Sequence, residues 1–197
     1  MGPANIMKKI AILLSNEIKD VDIFIPTSIW RKAKIIVDLI SIEKKNSVIL
    51  ESGVKISCNY SFDEVNITQY HGIYIPGGNG LIRFQKENLP VKNSLGSDKL
   101  LKTLETFQKD PQKKIMLTFD SAKIFRHYNL VNGYRIAGYN ENHELDEGIL
   151  EEIVIHNNLI SVKGYWQLPQ FALEVINSIL DEKSKENIEK ILDSNSY

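Results

Sequence analysis

Residues that could do chemistry stand at three places in the chain, each just after a short apolar run. Glu17 follows Lys8–Leu14, Gly77 and Gly78 follow Gly72–Ile75, and Asp120 follows Lys114–Phe119. Such runs are typical of strands buried in a parallel sheet, whose carboxyl ends meet at one edge and hold the ligand site. A carboxylate there can act as a general base or a nucleophile, and glycines let backbone amides approach a ligand.

The single cysteine, Cys58, bears on both compartment and chemistry. One cysteine excludes a disulfide within the chain and fits a reducing compartment, so we expect a cytoplasmic protein. Cys58 itself reads as a small buried or interface side chain. The sequence has no Cys/His cluster typical of a metal site and no phosphate-binding G-x-G-x-x-G or G-x-x-x-x-G-K-[ST] stretch. We therefore expect neither a metal nor a cofactor, and a nucleotide-binding or flavin-binding function is disfavoured.

Composition and charge narrow the class of protein. The chain has 197 residues, enough for one domain with a full core, and its 43% hydrophobic and 25% charged residues are ordinary for a soluble globular protein. The formal net charge of -1 argues against a broad surface for nucleic acid or anionic lipid. No apolar run reaches membrane-spanning length, so neither nucleic acid nor a membrane is an expected partner.

The predicted domain covers residues 8–192. Residues 1–7 read as an extension or a cloning remnant, because Met7 followed by two lysines resembles a second start site. They contain no apolar stretch of the kind that a secretory signal needs. Residues 193–197 read as a polar tail.

Strand-sized apolar runs alternate with helical stripes, which predicts a mostly parallel sheet with helices on both faces. The predicted strands are Lys8–Leu14, Ile35–Ile42, Gly72–Ile75, Lys114–Phe119, Tyr134–Tyr139, Ile153–His156 and Leu159–Lys163, with a hairpin of Ser47–Leu50 and Val54–Cys58. The predicted helices are Asp20–Lys34, a short one from Ser61, Lys92–Lys109, Ala122–Tyr128, Leu168–Leu180 and Glu182–Leu192. Proline is tolerated in a first helical turn, so Pro26 predicts a start near Asp22 or Ile23.

Four segments, in order and spacing, resemble the DJ-1/PfpI (ThiJ) family. They are Lys8–Pro26, Tyr74–Asn79 (YIPGGN), Lys114–Phe125 and Gly164–Leu180, which match its first strand and helix, glycine turn, nucleophile elbow and closing loop. The resemblance covers residues 8 to 180. It implies an α/β flavodoxin-like fold of the class I glutamine amidotransferase type, and a homodimer.

The resemblance also implies a site. Active relatives carry a cysteine at the elbow, an acidic residue from the first loop that hydrogen-bonds its thiolate, and often a nearby histidine. Their backbone amides form an anion pocket, whose counterparts here are Gly77, Gly78 and Ser121. Such relatives act as glyoxalases, as amidases or peptidases, as reported deglycases, or as redox-sensing chaperones.

This sequence departs from that pattern at each catalytic position. The elbow residue is Asp120, and a carboxylate is a much poorer nucleophile than a thiolate. An ungapped alignment puts Lys19 at the acidic position, with Glu17 two residues earlier, and Tyr139 near the histidine position. Lys19 is either a solvated lysine or the partner of Asp120 in an ion pair, which would favour the charged form of both groups.

Three further side chains have two readings each. His143, four residues beyond Tyr139, either lines the pocket or is an ordinary loop residue. Tyr165 and Trp166 either pack locally or line the pocket rim.

Two functions remain open. The first is a degenerate family member, a pseudoenzyme acting as a binding, stress-sensing or chaperone-like homodimer, with a small anionic or carbonyl ligand. A fixed carboxylate at Asp120 resembles the sulfinate that an over-oxidised elbow cysteine becomes. The alternative is a hydrolase or glyoxalase-like enzyme with a carboxylate-based mechanism, in which Glu17, Lys19 or Tyr139 assists Asp120.

Overall fold

The computed structural model describes residues 6–89 and 95–194. Within these ranges it contains a seven-stranded sheet, a separate two-stranded hairpin and five α-helices. Residues 1–5 of the predicted extension and 195–197 of the predicted tail lie outside the described residues, as does the predicted helix start at Lys92. None of the described helices combines the length and the apolar character needed to cross a bilayer.

The elements alternate along the chain as the sequence predicted. The strands are β1 (Lys9–Leu14), β2 (Ile36–Ser41), β3 (Ser47–Ile49), β4 (Lys55–Ser57), β5 (Tyr60–Ser61), β6 (Gly72–Ile75), β7 (Lys114–Thr118), β8 (Ile153–His156) and β9 (Leu159–Val162). The helices are α1 (Asp20–Lys32), α2 (Leu95–Lys109), α3 (Ala122–His127), α4 (Leu168–Ile179) and α5 (Glu182–Asp193). Short 3-10 helices cover Ile67–Gln69, Asn79–Phe84, Lys86–Asn88 and Tyr165–Gln167.

The large sheet has the strand order β5-β2-β1-β6-β7-β9-β8. Every neighbouring pair is parallel except β8 and β9, which form an antiparallel hairpin. Helices cover both faces, which confirms the predicted flavodoxin-like α/β class. Because β1, β6 and β7 are adjacent at the centre, the loops that follow them are neighbours, as the sequence predicted.

A cluster of aromatic side chains packs α1 and α4 against the sheet. Trp30, Tyr74 and Phe171 are fully buried, and their ring centroids lie 5.4 to 6.3 Å apart in edge-on or tilted contacts. Trp30 Nε1 donates a hydrogen bond to the carbonyl of Ala172 at 3.0 Å. Truncating a buried aromatic residue of this kind costs about 3–5 kcal/mol, so this cluster fixes α1, on which the site depends.

The predicted start of α1 near Asp22 or Ile23 is wrong, because the helix begins at Asp20 and Pro26 falls in its second turn. Proline has no N–H to donate to the carbonyl four residues earlier, which here belongs to Asp22. The buried hydroxyl of Tyr74 donates to that carbonyl at 2.8 Å instead. This bond lets the helix continue through the proline.

The predicted strand Tyr134–Tyr139 is also wrong, because that segment is irregular. Its backbone is engaged locally: Tyr139 N–H donates to the carbonyl of Ile136 at 3.1 Å, and Ala137 N–H donates to Ser161 Oγ at 2.9 Å. The edge of β7 that it might have paired with is occupied by β9. The predicted short helix at Ser61 is a turn instead, although Glu64 does accept the bond from Ser61 N–H at 3.2 Å.

Candidate functional site

The loop after β1 and the glycine turn after β6 are joined by main-chain contacts. Ile18 and Gly78 form an antiparallel bridge, and Lys19 N–H donates to the carbonyl of Gly77 at 2.9 Å. Gly78 has a φ of 135°, and a Cβ there would lie 2.5 Å from the carbonyl oxygen of Glu17. Only glycine permits this approach, so the turn sequence determines where Lys19 emerges.

The elbow between β7 and α3 is held by hydrogen bonds between Thr118 and Ser121. Thr118 N–H donates to Ser121 Oγ at 2.8 Å, and Ser121 N–H donates to Thr118 Oγ1 at 3.2 Å. Both residues are buried, whereas the Asp120 side chain between them is about one quarter exposed, at 25%. The elbow therefore exposes the Asp120 carboxylate at the edge of the sheet where the carboxyl ends of the parallel strands meet.

The ion pair that the sequence suggested is present. Lys19 Nζ lies 2.7 Å from Asp120 Oδ2, and the Lys19 side chain is 42% exposed. Partial burial lowers the pKa of Lys19, but its hydrogen bond to Asp120 and the charges of Asp120 and Asp22 together outweigh burial and raise it. Lys19 is thus a cation at neutral pH and not a free amine.

A second carboxylate, Asp22, belongs to the same site, and sequence reasoning missed it. Asp22 lies in the first turn of α1, is only 4% exposed, and accepts a hydrogen bond from Gly77 N–H at Oδ2, at 2.9 Å. A Cβ on Gly77 would be 2.9 Å from Oδ2 of Asp22 and 2.9 Å from Oδ2 of Asp120, so these two oxygens are no more than twice that distance apart. The available signal was spacing: Asp22, Pro26 and Trp30 recur every four residues on the buried face of α1.

Asp22 is therefore an acid in an unusual environment. Burial raises its pKa, the charges of Asp120 and Glu51 act in the same direction, and the Gly77 hydrogen bond and Lys19 oppose them without cancelling the rise. The ungapped alignment puts Lys19 at the family's acidic position, and the buried acid of this site is a different residue. The structure supplies that acid from the helix, one turn further along the chain.

The pair of Lys19 and Asp120 borders two cavities. The smaller, of about 150 Å³, is lined by Lys19, Asp22, Thr118, Phe119, Asp120, Val162, Lys163, Gly164, Tyr165 and Leu168. The larger, of about 430 Å³, is lined by Lys19, Gly78, Asn79, Leu81, Ile82, Gln85, Asp120, Lys123 and Ile124. We call these the acid cavity and the outer cavity.

Two of the three backbone amides expected to form an anion pocket are already engaged. Gly77 N–H donates to Asp22, and Ser121 N–H donates to Thr118. Gly78 borders only the outer cavity of the two. An anion in the acid cavity would therefore lie near two carboxylates, and neither of these two amides would be free to donate to it. This arrangement opposes the anionic ligand expected from the sequence.

The remaining predicted site residues lie around the two cavities without lining either. The side chain of Glu17 is exposed, while its carbonyl accepts a hydrogen bond from Gly80 N–H at 3.2 Å. Tyr139 is buried, donates from its hydroxyl to the carbonyl of Phe119 at 3.0 Å, and has its pKa raised by burial. Nε2 of His143 lies 2.9 Å from the carbonyl of Tyr134. The structure thus brings together Lys19 and Asp120, and keeps Glu17 and Tyr139 outside the cavities.

Cys58 lies after the β3–β4 hairpin, and it lines neither cavity. It is buried, and burial raises the pKa of its thiol to about 11. The thiol is therefore almost fully protonated at neutral pH and is a weak nucleophile. The described residues contain no group of three or more His, Cys, Asp or Glu side chains that could hold a metal ion.

The closing loop before α4 adds an aromatic rim. Tyr165 lines the acid cavity and stacks on Trp166, with ring centroids 4.7 Å apart and planes at 30°. Trp166 is 78% exposed, so it is neither a core residue nor part of the cavity wall. A large exposed aromatic side chain beside a cavity is well placed to contact a ligand that extends from it.

Comparison with known sequences agrees with this geometry. A model of the DJ-1/PfpI family matches residues 8–178. An uncharacterised protein of Mycoplasma pneumoniae is 27% identical over an alignment of 179 residues, and the alignment covers 87% of this chain and 82% of that protein. The family match covers β1, the glycine turn, the elbow and nearly all of α4.

Solved structures agree on the fold. Oxidised DJ-1 of Toxoplasma gondii has a TM-score of 0.79 at 18% identity, covering 96% of this chain and 100% of that chain. DJ-1 of Schizosaccharomyces pombe has a TM-score of 0.74 at 19% identity, covering 96% and 99%. DJ-1beta of Drosophila melanogaster has a TM-score of 0.76 at 17% identity, covering 94% and 97%.

Proposed function

This chain belongs to the DJ-1/PfpI family, and we propose that within it the protein is a pseudoenzyme, a cytoplasmic homodimer that binds a small molecule at the elbow without cysteine chemistry. The observation that carries the proposal is the contact between Asp120 and Lys19 at 2.7 Å, at the position where active relatives hold a thiolate. A carboxylate paired with an ammonium group attacks carbonyl carbon far less readily than a thiolate does. The single thiol of the chain, Cys58, is buried outside the acid cavity.

The fixed charge of Asp120 supports a sensing or chaperone-like role over a catalytic one. Oxidation of an elbow thiolate to a sulfinate moves its negative charge onto two oxygens at this place. A carboxylate carries such a charge permanently, and here a cation from the neighbouring loop balances it. The protein would then hold, without any oxidant, the charged pair of oxygens that redox-sensing relatives acquire on oxidation.

Exposed apolar side chains support the homodimer. Four apolar side chains are exposed on two elements, Val21 and Phe24 on α1 and Ile49 and Val54 on the β3–β4 hairpin. The two elements are joined by Ser52 N–H, which donates to Asp20 at 3.2 Å. We call these four residues the α1–hairpin patch and propose that a second copy of the chain covers it, because grouped apolar side chains of this kind mark interaction sites.

One observation favours the alternative, a hydrolase or glyoxalase-like enzyme with a carboxylate mechanism. Asp22, with its raised pKa, and Asp120, paired with Lys19, are two acids in different environments, and such pairs divide into general acid and general base. Against this, the hydrogen bond from Lys19 occupies Oδ2 of Asp120, the oxygen that a general base would use on the side of Gly77.

Consumption of methylglyoxal distinguishes the two functions. We expect the purified protein to show no turnover above the uncatalysed rate under conditions in which a cysteine-bearing relative consumes the substrate. Asp120→Asn should change nothing. Turnover by the unmodified protein that is abolished in Asp120→Asn would overturn the proposal in favour of the carboxylate mechanism.

A further inference from the structure

The acid cavity has an unsatisfied carboxylate oxygen in its wall. Asp22 accepts a hydrogen bond at Oδ2 from Gly77, but its Oδ1 has no partner among the described residues. The buried side-chain atom left without a partner in the described part of the chain is Thr27 Oγ1, so Oδ1 of Asp22 is not sealed in the core but reaches the cavity that Asp22 lines. A buried carboxylate with an open oxygen favours a donor or a cation as its neighbour.

The cation already present is held loosely. Lys19 makes one side-chain hydrogen bond, to Asp120, on a flexible side chain that is 42% exposed. Partly exposed pairs of this kind contribute little to stability, because both groups are solvated when they separate. A second cation can therefore compete with Lys19 for Asp120 at small cost.

The surroundings favour a cation over an anion. The amides of Gly77 and Ser121 are engaged by side chains of the site itself. The other nearby ammonium group, on Lys163, donates to the carbonyls of Glu147 and Ile149 at 3.2 and 2.6 Å, which fixes it on the 147–149 loop. The carboxylates of Asp22 and Asp120 would thus repel an entering anion, whereas they would attract an entering cation.

The shape of the cavity favours an organic cation. Phe119 and Tyr165 line it, and Tyr165 continues into its stack with the exposed Trp166. Aromatic faces attract ammonium and guanidinium groups, and they also cover the apolar part of a ligand. A volume of about 150 Å³ accommodates a head group of a few heavy atoms, with the rest of the ligand at the aromatic rim.

We infer that the acid cavity binds a small organic cation, with a primary ammonium or guanidinium head group between Asp22 and Asp120, and that this head group displaces the ammonium of Lys19. The inference rests on the proposed binding function and specifies its ligand class. Lys19 then serves as an internal stand-in for the ligand, which occupies Asp120 when the site is empty.

Calorimetric titration of the full chain tests this with probes of one size and different charge: n-butylammonium, butylguanidinium, n-butanol and butyrate. We expect the two cations to bind more tightly than butanol, with butyrate weakest, and the cation affinity to fall as NaCl is added. Lys19→Gln should strengthen cation binding about 2- to 5-fold, since it removes the competitor. Lys123→Gln removes a lysine that borders only the outer cavity and should leave the affinity unchanged.

Asp120→Asn and Asp22→Asn should each weaken cation binding, and Asp120→Asn keeps the test valid if the buried variant does not fold. Butyrate binding more tightly than n-butylammonium, or Lys19→Gln weakening the cation, would overturn the inference. Its failure is separable from that of the proposed function. Absent cation binding with no methylglyoxal turnover contradicts the inference alone, and cation binding with turnover contradicts the pseudoenzyme role alone.

Discussion

At the scale of single residues, the site is decided by two carboxylates and one ammonium group. Asp120 projects from the elbow and is paired with Lys19, whereas Asp22 is buried on α1 against the amide of Gly77. A second lysine, Lys163, also lines the acid cavity, but its ammonium group donates to the carbonyls of Glu147 and Ile149. Burial, together with the charges of Asp120 and Glu51, makes Asp22 easier to protonate than an ordinary aspartate.

The raised pKa of Asp22 predicts how stability depends on pH. An acid whose pKa is higher in the folded state binds its proton more tightly when folded, so its contribution is most favourable at low pH. That contribution is lost as pH rises from 3.8, the ordinary pKa of an aspartate, through the pKa of Asp22 in the folded state. The charged groups that act on Asp22 there are Lys19, Asp120 and Glu51. Asp22→Asn keeps an acceptor for Gly77 and removes this loss.

The melting temperatures of the protein and of Asp22→Asn, measured from pH 4 to pH 8, test that prediction. We expect Asp22→Asn to gain stability relative to the unmodified protein as pH rises through the folded pKa of Asp22. Asp20→Asn, at a partly exposed carboxylate whose pKa is lowered by its hydrogen bond from Ser52, should show no such gain. A stability difference that does not change with pH would contradict the assignment of Asp22.

The sequence predicted Asp120 and Lys19 as residues of this site, but it did not predict Asp22. Asp120 and Lys19 could be found because each lies directly in a loop after a recognisable strand. Asp22 was missed because its burial depends on where α1 begins, and the proline rule placed that start too late. The occupation of the Gly77 and Ser121 amides depends on side-chain packing between distant segments, which no local pattern encodes.

At the scale of elements, α1 is the part of the fold that the site depends on most. It begins two residues before the predicted position and passes through Pro26 because Tyr74 supplies the missing donor. The alternation of strands and helices was predictable because each buried strand is a continuous apolar run. The segment Tyr134–Tyr139 was not, since its β-prone composition is overridden by local turns and by β9, which occupies the neighbouring edge.

Removing the Tyr74 hydroxyl tests this account of α1. Tyr74→Phe leaves the buried carbonyl of Asp22 without a donor, which should cost about 1–3 kcal/mol of unfolding free energy. In a Pro26→Ala background the residue at position 26 has its own N–H for that carbonyl, so Tyr74→Phe should cost clearly less. Denaturant unfolding of the four proteins in this double-mutant cycle gives the coupling energy. Equal costs in the two backgrounds would contradict the proposed compensation.

At the scale of the whole molecule, the sheet brings the three site segments together and leaves the α1–hairpin patch open. The strand order puts β1 between β2 and β6, and β6 between β1 and β7. The site is thus made within one chain, while the α1–hairpin patch lies on the outer side of the same helix that carries Asp22. A partner bound at this patch would therefore also restrict the motion of α1, which carries Asp22 into the acid cavity.

Sedimentation velocity tests the homodimer. The mass obtained for the unmodified protein should be twice its chain mass of 22.5 kDa. Phe24→Lys should shift the protein towards the monomer, because a charge within an apolar interface is costly to bury. Leu150→Lys is the matched control, since Leu150 is exposed but lies outside the α1–hairpin patch. A monomer in the unmodified protein, or equal effects of the two variants, would contradict the proposed interface.

The central claim is that this is a family site in which a carboxylate has replaced the thiol, and the gain of activity in Asp120→Cys tests it most directly. Methylglyoxal consumption would be measured for the unmodified protein, Asp120→Cys, and Asp120→Cys combined with Asp22→Asn. We predict none in the first, clear turnover in the second, where Lys19 favours the thiolate, and a loss of about a hundredfold in the third. Turnover by the unmodified protein, or none in a folded Asp120→Cys, would contradict the account.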